Sequence, residues 1–250
     1  YYDSSLTIPL GTGARQIQIL GGTSGFSGNR NFNVTLSNTG ATIVWGSTYF
    51  NPDKLVLTSD WANTYGKTIL HNRIDLNGQS RTISILCNSS NDTGYGNVNY
   101  PIVDNAATGT GIIKEGQGVL LLNKANTFTG PVQVHGGIVR VTHATGLGTQ
   151  ADGGLMFTEG GTTLDMQTSL TVGELSSTYI YFGTVTNGGS SILTLPVDPD
   201  TVSTYALVIA DGYTGGHTSI TKAGTGTLTF PFYAEIGYGF GSSFTGPSLT

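Results

Sequence analysis

The chain has 250 residues, of which 38 are glycine and only 10% are charged; 10 basic and 15 acidic side chains give a formal charge of −5 at neutral pH. A balance this mild, with no blocks of one sign, excludes the basic face that nucleic acid requires and the polybasic segment that anionic membranes attract. The single cysteine, Cys87, excludes an intrachain disulfide, and the β-branched and aromatic content excludes a disordered chain.

Apolar residues nowhere recur at i, i+3, i+4 and i+7 over a helical length, whereas alternation returns in every fifty-residue block, so the predicted class is all-β. The first predicted strand alternates Leu6, Ile8 and Leu10, and Pro9 within it removes a ladder donor, which suits an edge or terminal strand. Residues 1–10 are therefore expected either to cap the core as an ordinary first strand or to pair with a neighbouring molecule. Next come Gln16–Leu20 before Gly21-Gly22, Phe32–Leu36, and Ala41–Trp45, each about five residues long and each closed by Gly, Ser or Asn. Leu55–Asn91 continues the pattern; Trp61 and Tyr65 are large enough to plug a layer or to sit on a surface, and Cys87 shares a face with Ile83 and Ile85, as a buried structural thiol would. Residues 97–110, with Pro101, Asp104 and Asn105, read as a loop or outward excursion.

Residues 112–141, IIKEGQGVLLLNKANTFTGPVQVHGGIVRV, carry the clearest pattern. Gly116, Gly118, Leu120 and Leu122 fall on one face of a predicted strand; Lys124–Thr127, with Asn126, forms a polar corner; Val132 and Val134 share a face; Gly136-Gly137 turns the chain; and Val139 and Val141 share a face again. Ala144–Gly154 is a Gly-rich connection, and Gly160-Gly161, Gly188-Gly189 and Gly215-Gly216 punctuate further strand groups. Lys222, Gly224, Gly226, Leu228 and Phe230 then reproduce the spacing from Lys114 to Leu122, and Phe244–Pro247 repeats Phe128–Pro131. Eight extra residues separate the halves of this second copy, 22 from Lys222 to Phe244 against 14 from Lys114 to Phe128, a length a corner can absorb. Recurrent Gly-Gly could mark two-residue antiparallel hairpins, but repetition of one corner chemistry favours stacked layers.

The series K-x-G-x-G-x-L-x-L, N-T-F-T-G and V-x-V-x-G-G-x-V-x-V resembles the autotransporter-associated β-strand repeat of bacterial passenger domains and other large secreted surface proteins. Leu55–Thr58 followed by Ile74–Gly78 and Arg81–Ile83, and Thr163–Met166 followed by Leu170–Leu175, are similar to segments that flank such repeats. The resemblance implies a right-handed parallel β-helix outside the cell, with no catalytic residues to carry over. The expected organisation is one β-solenoid over residues 1–250, with repeat units at 112–143 and 219–250. At roughly 20–25 residues per coil it would make about ten to twelve coils, a rod on the order of 50 Å long.

Candidate sites are sparse. His71, His135, His143 and His217 are far apart, with no HxH, HExxH or CxxC spacing, so neither a metal nor a cofactor is expected. Asn51-Pro52-Asp53 and Asp198-Pro199-Asp200 could offer calcium oxygens but are first of all turn chemistry. Asn33, Asn88 and Asn91 head glycosylation-type triplets. A β-helical polysaccharide-degrading enzyme would need paired carboxylates or acidic metal ligands, and Asp165 with Glu174, or Asp198 with Asp200, are the only candidates. No apolar run reaches the length of a membrane span, so membrane insertion is not expected. No signal peptide is recognisable and the first residue is Tyr1 rather than Met, so a mature chain or an expressed piece of one is expected, and the second repeat stops at Thr250 before a third strand. The expectation is a non-enzymatic extracellular or bacterial cell-surface protein that self-associates head to tail into a surface or matrix filament. A monomeric autotransporter-type adhesin contacting glycans or a cell surface is the alternative.

Overall fold

Alternating side chains and glycine corners build short strands, and a computed structural model shows how those strands meet. It describes residues 4–28, 30–58, 66–86, 94–149, 154–159, 161–173, 175–177, 183–187, 191–196, 202–204, 208–209, 217–229 and 243–245. Among them there is no helix, and every strand pair is parallel; the one antiparallel contact is an isolated bridge between Ser47 and Phe50. The hairpin alternative is thereby removed, since two-residue Gly-Gly turns would have made antiparallel neighbours.

The strands fall into successive levels. The first holds β1 (Ser4–Ile8), β2 (Ile19–Leu20) and β3 (Thr23–Phe26); the second holds β4 (Asn31–Leu36), β5 (Thr42–Val44), β6 (Phe50–Asn51) and β7 (Lys54–Leu57). Then follow β8 (Lys67–Leu70), β9 (Arg73–Asp75) and β10 (Arg81–Ser84); β11 (Tyr95–Val98), β12 (Ile102–Val103) and β13 (Ile112–Glu115); β14 (Val119–Leu122) and β15 (Val132–Val134); and β16 (Ile138–Val141) and β17 (Leu155–Phe157). The last levels hold β18 (Thr162–Met166), β19 (Leu170–Thr171) and β20 (Leu175–Ser177); β21 (Gly183–Asn187), β22 (Ser191–Pro196) and β23 (Val202–Thr204); β24 (Val208–Ile209), β25 (Thr218–Ala223) and β26 (Thr227–Thr229); and β27 (Ser243–Thr245). A nine-stranded sheet runs β1-β4-β8-β11-β14-β16-β18-β21-β24, and a seven-stranded sheet runs β3-β7-β10-β13-β15-β17-β20. Sheets β5-β9-β12 and β19-β22-β25-β27 and the pairs β2-β6 and β23-β26 complete the set. Each pairing joins one level to the next, which is compatible with a β-solenoid.

Register makes the core. In the nine-stranded sheet Leu6, Val34, Leu70, Val98, Leu122, Val141 and Met166 occupy one row, each in register with the next. From Val34 to Met166 all are buried. The seven-stranded sheet contributes Leu55, Ile83, Lys114, Val134 and Phe157, and the three-stranded sheet Ile43, Ile74 and Ile102. Strand spacing of about 4.8 Å puts like side chains in contact along each row, and a slip of one residue would turn every row outward. Trp45 fills the second level completely buried, its ring edge-on to Phe50 at 5.5 Å and its indole N–H donating to the Pro52 carbonyl at 2.8 Å.

Several expectations need correction. Residues 97–110 are a loop only in part: Asn97, Val98, Ile102 and Val103 are buried within β11 and β12, and the exposed turn is confined to Asn105–Gly109. The apolar pairs there are two residues long, too short to stand out against Pro101 and Asp104. Gly116 to Leu122 is not one strand, because Gly116 turns at φ +79° and β14 begins only at Val119. A Cβ at Gly116 would overlap the Ile85 carbonyl of the preceding level, so the corner admits glycine alone. The run Gln16–Leu20 shrinks to Ile19–Leu20 plus a bridge from Leu10 to Ile17. Trp61, Tyr65 and Cys87 lie outside the described residues.

Candidate functional site

Two surfaces concentrate the polar and unpaired groups: the outer edge of β1 and the outward face of the nine-stranded sheet. β1 is extended because Leu6 and Ile8 alternate with Ser5 and Thr7; it pairs with β4 on one side and, among the described residues, with no strand on the other. Leu6 and Ile8 are half-buried against Val34 and Leu36, which are themselves fully buried. Leu10 does not belong to this edge, being bridged to Ile17. The backbone groups along Ser4–Ile8 that face away from β4 have no strand partner among the described residues. Nearby, Leu20 and Tyr49 are exposed large side chains at 48% and 37%.

On the outward face, Asn33, Ile69, Asn97, Leu121, Arg140 and Asp165 form one in-register row. Arg140 Nε donates to Asp165 Oδ2 at 2.6 Å, and Gln167 Nε2 donates to Asp165 Oδ1 at 2.8 Å. Asn97 Nδ2 donates to the Leu121 carbonyl at 2.8 Å and to Asn123 Oδ1 at 3.1 Å. Lys67 sits 5.1 Å from the centre of the Tyr95 ring; burial raises the Tyr95 phenol above its ordinary range, the Arg140 charge opposing it. Burial, reinforced by the Lys124 charge, lowers His71, whose Nε2 lies 2.9 Å from Asn33 Oδ1. Asn33, the one glycosylation-type asparagine within the described residues, is therefore a strand residue engaged with His71; Asn88 and Asn91 lie outside them. On the seven-stranded sheet Lys54 reaches Glu115 at 2.5 Å.

The repeat motif proves to be corner chemistry. Lys114 is fully buried in the row between Ile83 and Val134, and its Nζ donates to the carbonyls of Gly116 at 2.5 Å and Gly136 at 2.6 Å. The lysine thus binds its own corner to the corner one level on. Lys222 Nζ likewise donates to the Gly224 carbonyl at 2.9 Å, and Gly224 repeats the turn at φ +78°. Gly118 donates to the Ile85 carbonyl, Gly130 to that of Thr110, and Gly137 turns at φ +65°. Leu120, Leu122 and Leu228 are buried, as is Gly226; Phe230 lies outside the described residues. Lys114 leads from the seven- to the nine-stranded sheet, whereas Lys222 leads from the four-stranded sheet to the pair β23-β26.

Asn126 is buried too: Ile102 N–H donates to its Oδ1 at 2.8 Å and its Nδ2 donates to the Gly146 carbonyl at 2.6 Å, tying three levels together. Sequence reasoning missed its counterpart Asn72, also fully buried, which accepts from Leu36 N–H at 2.7 Å and donates to the carbonyls of Leu36, Asn38 and Ala41. The signal was present, since Asn72 lies in phase with Leu70.

No group of three or more His, Cys, Asp or Glu side chains among the described residues is placed to hold a metal ion. Asp165, a carboxylate candidate for hydrolysis, is tied to Arg140; Glu174, Asp198 and Asp200 lie outside the described residues. Asp53 Oδ2 accepts from Gly22 N–H at 2.8 Å, a bond that joins two levels across 31 residues. No protein-family model, curated protein or solved structure matches the chain.

Proposed function

We propose that the levels are coils of a right-handed β-solenoid that acts outside the cell, or on a bacterial surface, as a non-enzymatic structural subunit adding head to tail to further copies of itself. The nine strands of the largest sheet, with β27 beyond them, support a coil number at the low end of ten to twelve. The observation that carries the reading is the outer edge of β1, open among the described residues on a stack whose pairings are all parallel. A parallel edge presents donors and acceptors at the spacing the next parallel strand needs, and such a head-to-tail contact does not close, so it propagates. Strand addition is favoured over exchange of β1, because withdrawing β1 would uncover Val34 and Leu36.

Sedimentation velocity across a concentration series, with electron microscopy of the same samples, tests this. Full-length chain is expected to form rods as concentration rises, and Thr7→Pro, which removes a donor from the outer edge because the neighbouring Ile8 faces β4, to keep its β circular dichroism and stay monomeric. Undiminished rods from folded Thr7→Pro would remove the proposal. Asn33, Tyr95 and Arg140, half-buried on the outward face of the nine-stranded sheet, support a second reading, a monomeric passenger-type adhesin that uses this face for glycan or cell-surface contacts. A glycan screen on monomeric protein separates the two.

A further inference from the structure

We propose that Asn77–Gly78 is a latent deamidation site kept closed by Asp104 of the next level, so that isoaspartate forms there when that level lifts away. Asn-Gly is the dipeptide most prone to this reaction, because glycine leaves its own nitrogen unhindered; here the asparagine is also exposed to water. In the reaction the Gly78 nitrogen loses its proton to base and attacks Cγ of Asn77. The Cγ–Nδ2 bond breaks, ammonia leaves, and water then opens the succinimide at either carbonyl to give aspartate or isoaspartate.

Every participant is held in the folded chain. Gly78 N–H donates to Asp104 Oδ1 at 3.0 Å, and that carboxylate opposes loss of the proton. Asn77 Nδ2 donates to the Trp45 carbonyl at 3.1 Å, and Asn77 N–H donates to Asp75 Oδ1 at 3.0 Å, which fixes both ends of the residue. The φ angles of +55° at Asn77 and +73° at Gly78 make a tight left-handed turn that cannot swing its nitrogen toward Cγ without breaking these bonds. Asp104 is itself locked, accepting from Ala106 N–H at 2.9 Å, Ala107 N–H at 3.1 Å and the Thr110 hydroxyl. The guard stands 26 residues along the chain from the glycine it protects. Protection therefore comes from stacking, and an exposed surface dipeptide reports whether two levels remain together.

The test incubates full-length protein at neutral pH and follows the 1-Da gain and the isoaspartate content of the peptide containing Asn77 by mass spectrometry, with the chain unfolded in urea as reference. The native rate is expected to be at least about tenfold below the unfolded rate, the factor one charge-assisted hydrogen bond supplies. Asp104→Ala, with its β circular dichroism intact, should raise the native rate by about tenfold. Equal native and unfolded rates, or an unchanged rate in folded Asp104→Ala, would overturn the proposal. Where Asp104→Ala does not fold, Asp104→Asn is read instead, since it keeps an acceptor oxygen but loses the charge. A rise of about threefold supports the guard and no rise overturns it.

Discussion

Asn126→Leu isolates what the buried asparagine does. The two side chains are close in size, so the change removes hydrogen bonds while leaving little space. Ile102 N–H, in one neighbouring level, and the Gly146 carbonyl, in the other, both lose the partner they have in Asn126. A buried backbone group left unsatisfied costs about 1–3 kcal/mol, and the apolar surface gained by leucine returns about 1 kcal/mol. With two such groups the expected loss is therefore about 1–5 kcal/mol. Urea unfolding followed by circular dichroism reads the total, and amide exchange reads the local effect, which should be fastest at Ile102. Asn126→Asp supplies the internal control. It keeps the acceptor for Ile102 N–H but points a second oxygen at the Gly146 carbonyl, so it should be least stable near neutral pH and recover on acidification, when the protonated carboxyl can donate again. A loss below about 0.5 kcal/mol for Asn126→Leu, with exchange at Ile102 unchanged, would refute the argument.

Gly116→Ala should lower the unfolding midpoint sharply or prevent folding, because the left-handed φ costs about 1 kcal/mol and the added Cβ meets the Ile85 carbonyl; a midpoint equal to that of the parent would show that the corner can move. Lys114→Met should change stability by no more than about 2 kcal/mol, since relief from burying an ammonium offsets the unpaired carbonyls of Gly116 and Gly136. Lys114→Ala should lose about 2–4 kcal/mol more through the cavity it leaves, and equal losses for the two variants in urea titrations would contradict this. At Asp75 burial alone would raise the carboxyl, but the hydrogen bonds from the Asn105 side chain and from Asn77 and Asn105 N–H outweigh it and hold the folded-state pKa below 3.8. Its contribution is thus complete above that pH and lost as pH falls through the folded-state value. Asp75→Asn should flatten the acid limb of the stability profile. His71 is also depressed, so its contribution is complete above 6.5 and falls away as pH drops below it. His71→Gln should remove that decline, and an unaltered profile in thermal melts at pH 5 to 7 would count against the assignment.

Local periodicity explains how much of the fold was legible. Val139 and Val141 turn inward and Arg140 outward because successive side chains leave opposite faces of a strand, and that much is written in any three neighbouring residues. The corner at Gly137 could be read for the same local reason, a backbone turn that L side chains resist, whereas Gly116, which alternates with Gly118 and Leu120, read as part of a strand. Asn126 was legible as a corner residue but not as a buried one, because its partners, Ile102 and Gly146, are contributed by other levels. Lys114 was legible as the first residue of the repeat spacing but not as a buried one, since the Gly136 carbonyl that receives it belongs to the next level. Asp104 looked like loop polarity, although its carboxylate holds a turn 26 residues earlier.

The sequence by itself determined that this chain is all-β, which faces of its alternating runs are apolar and that Gly136-Gly137 turns the chain. Only the tertiary structure decided that neighbouring strands are parallel, which row each residue joins and which buried polar groups clasp one level to the next. The physical reason is the range of the information. Alternation is settled between a residue and its neighbour, whereas pairing joins Leu122 to Val141 across 19 residues and Val34 to Leu70 across 36. Separations that uneven leave no fixed period to read, and they are resolved only when the apolar rows close against one another and every buried backbone group finds its partner.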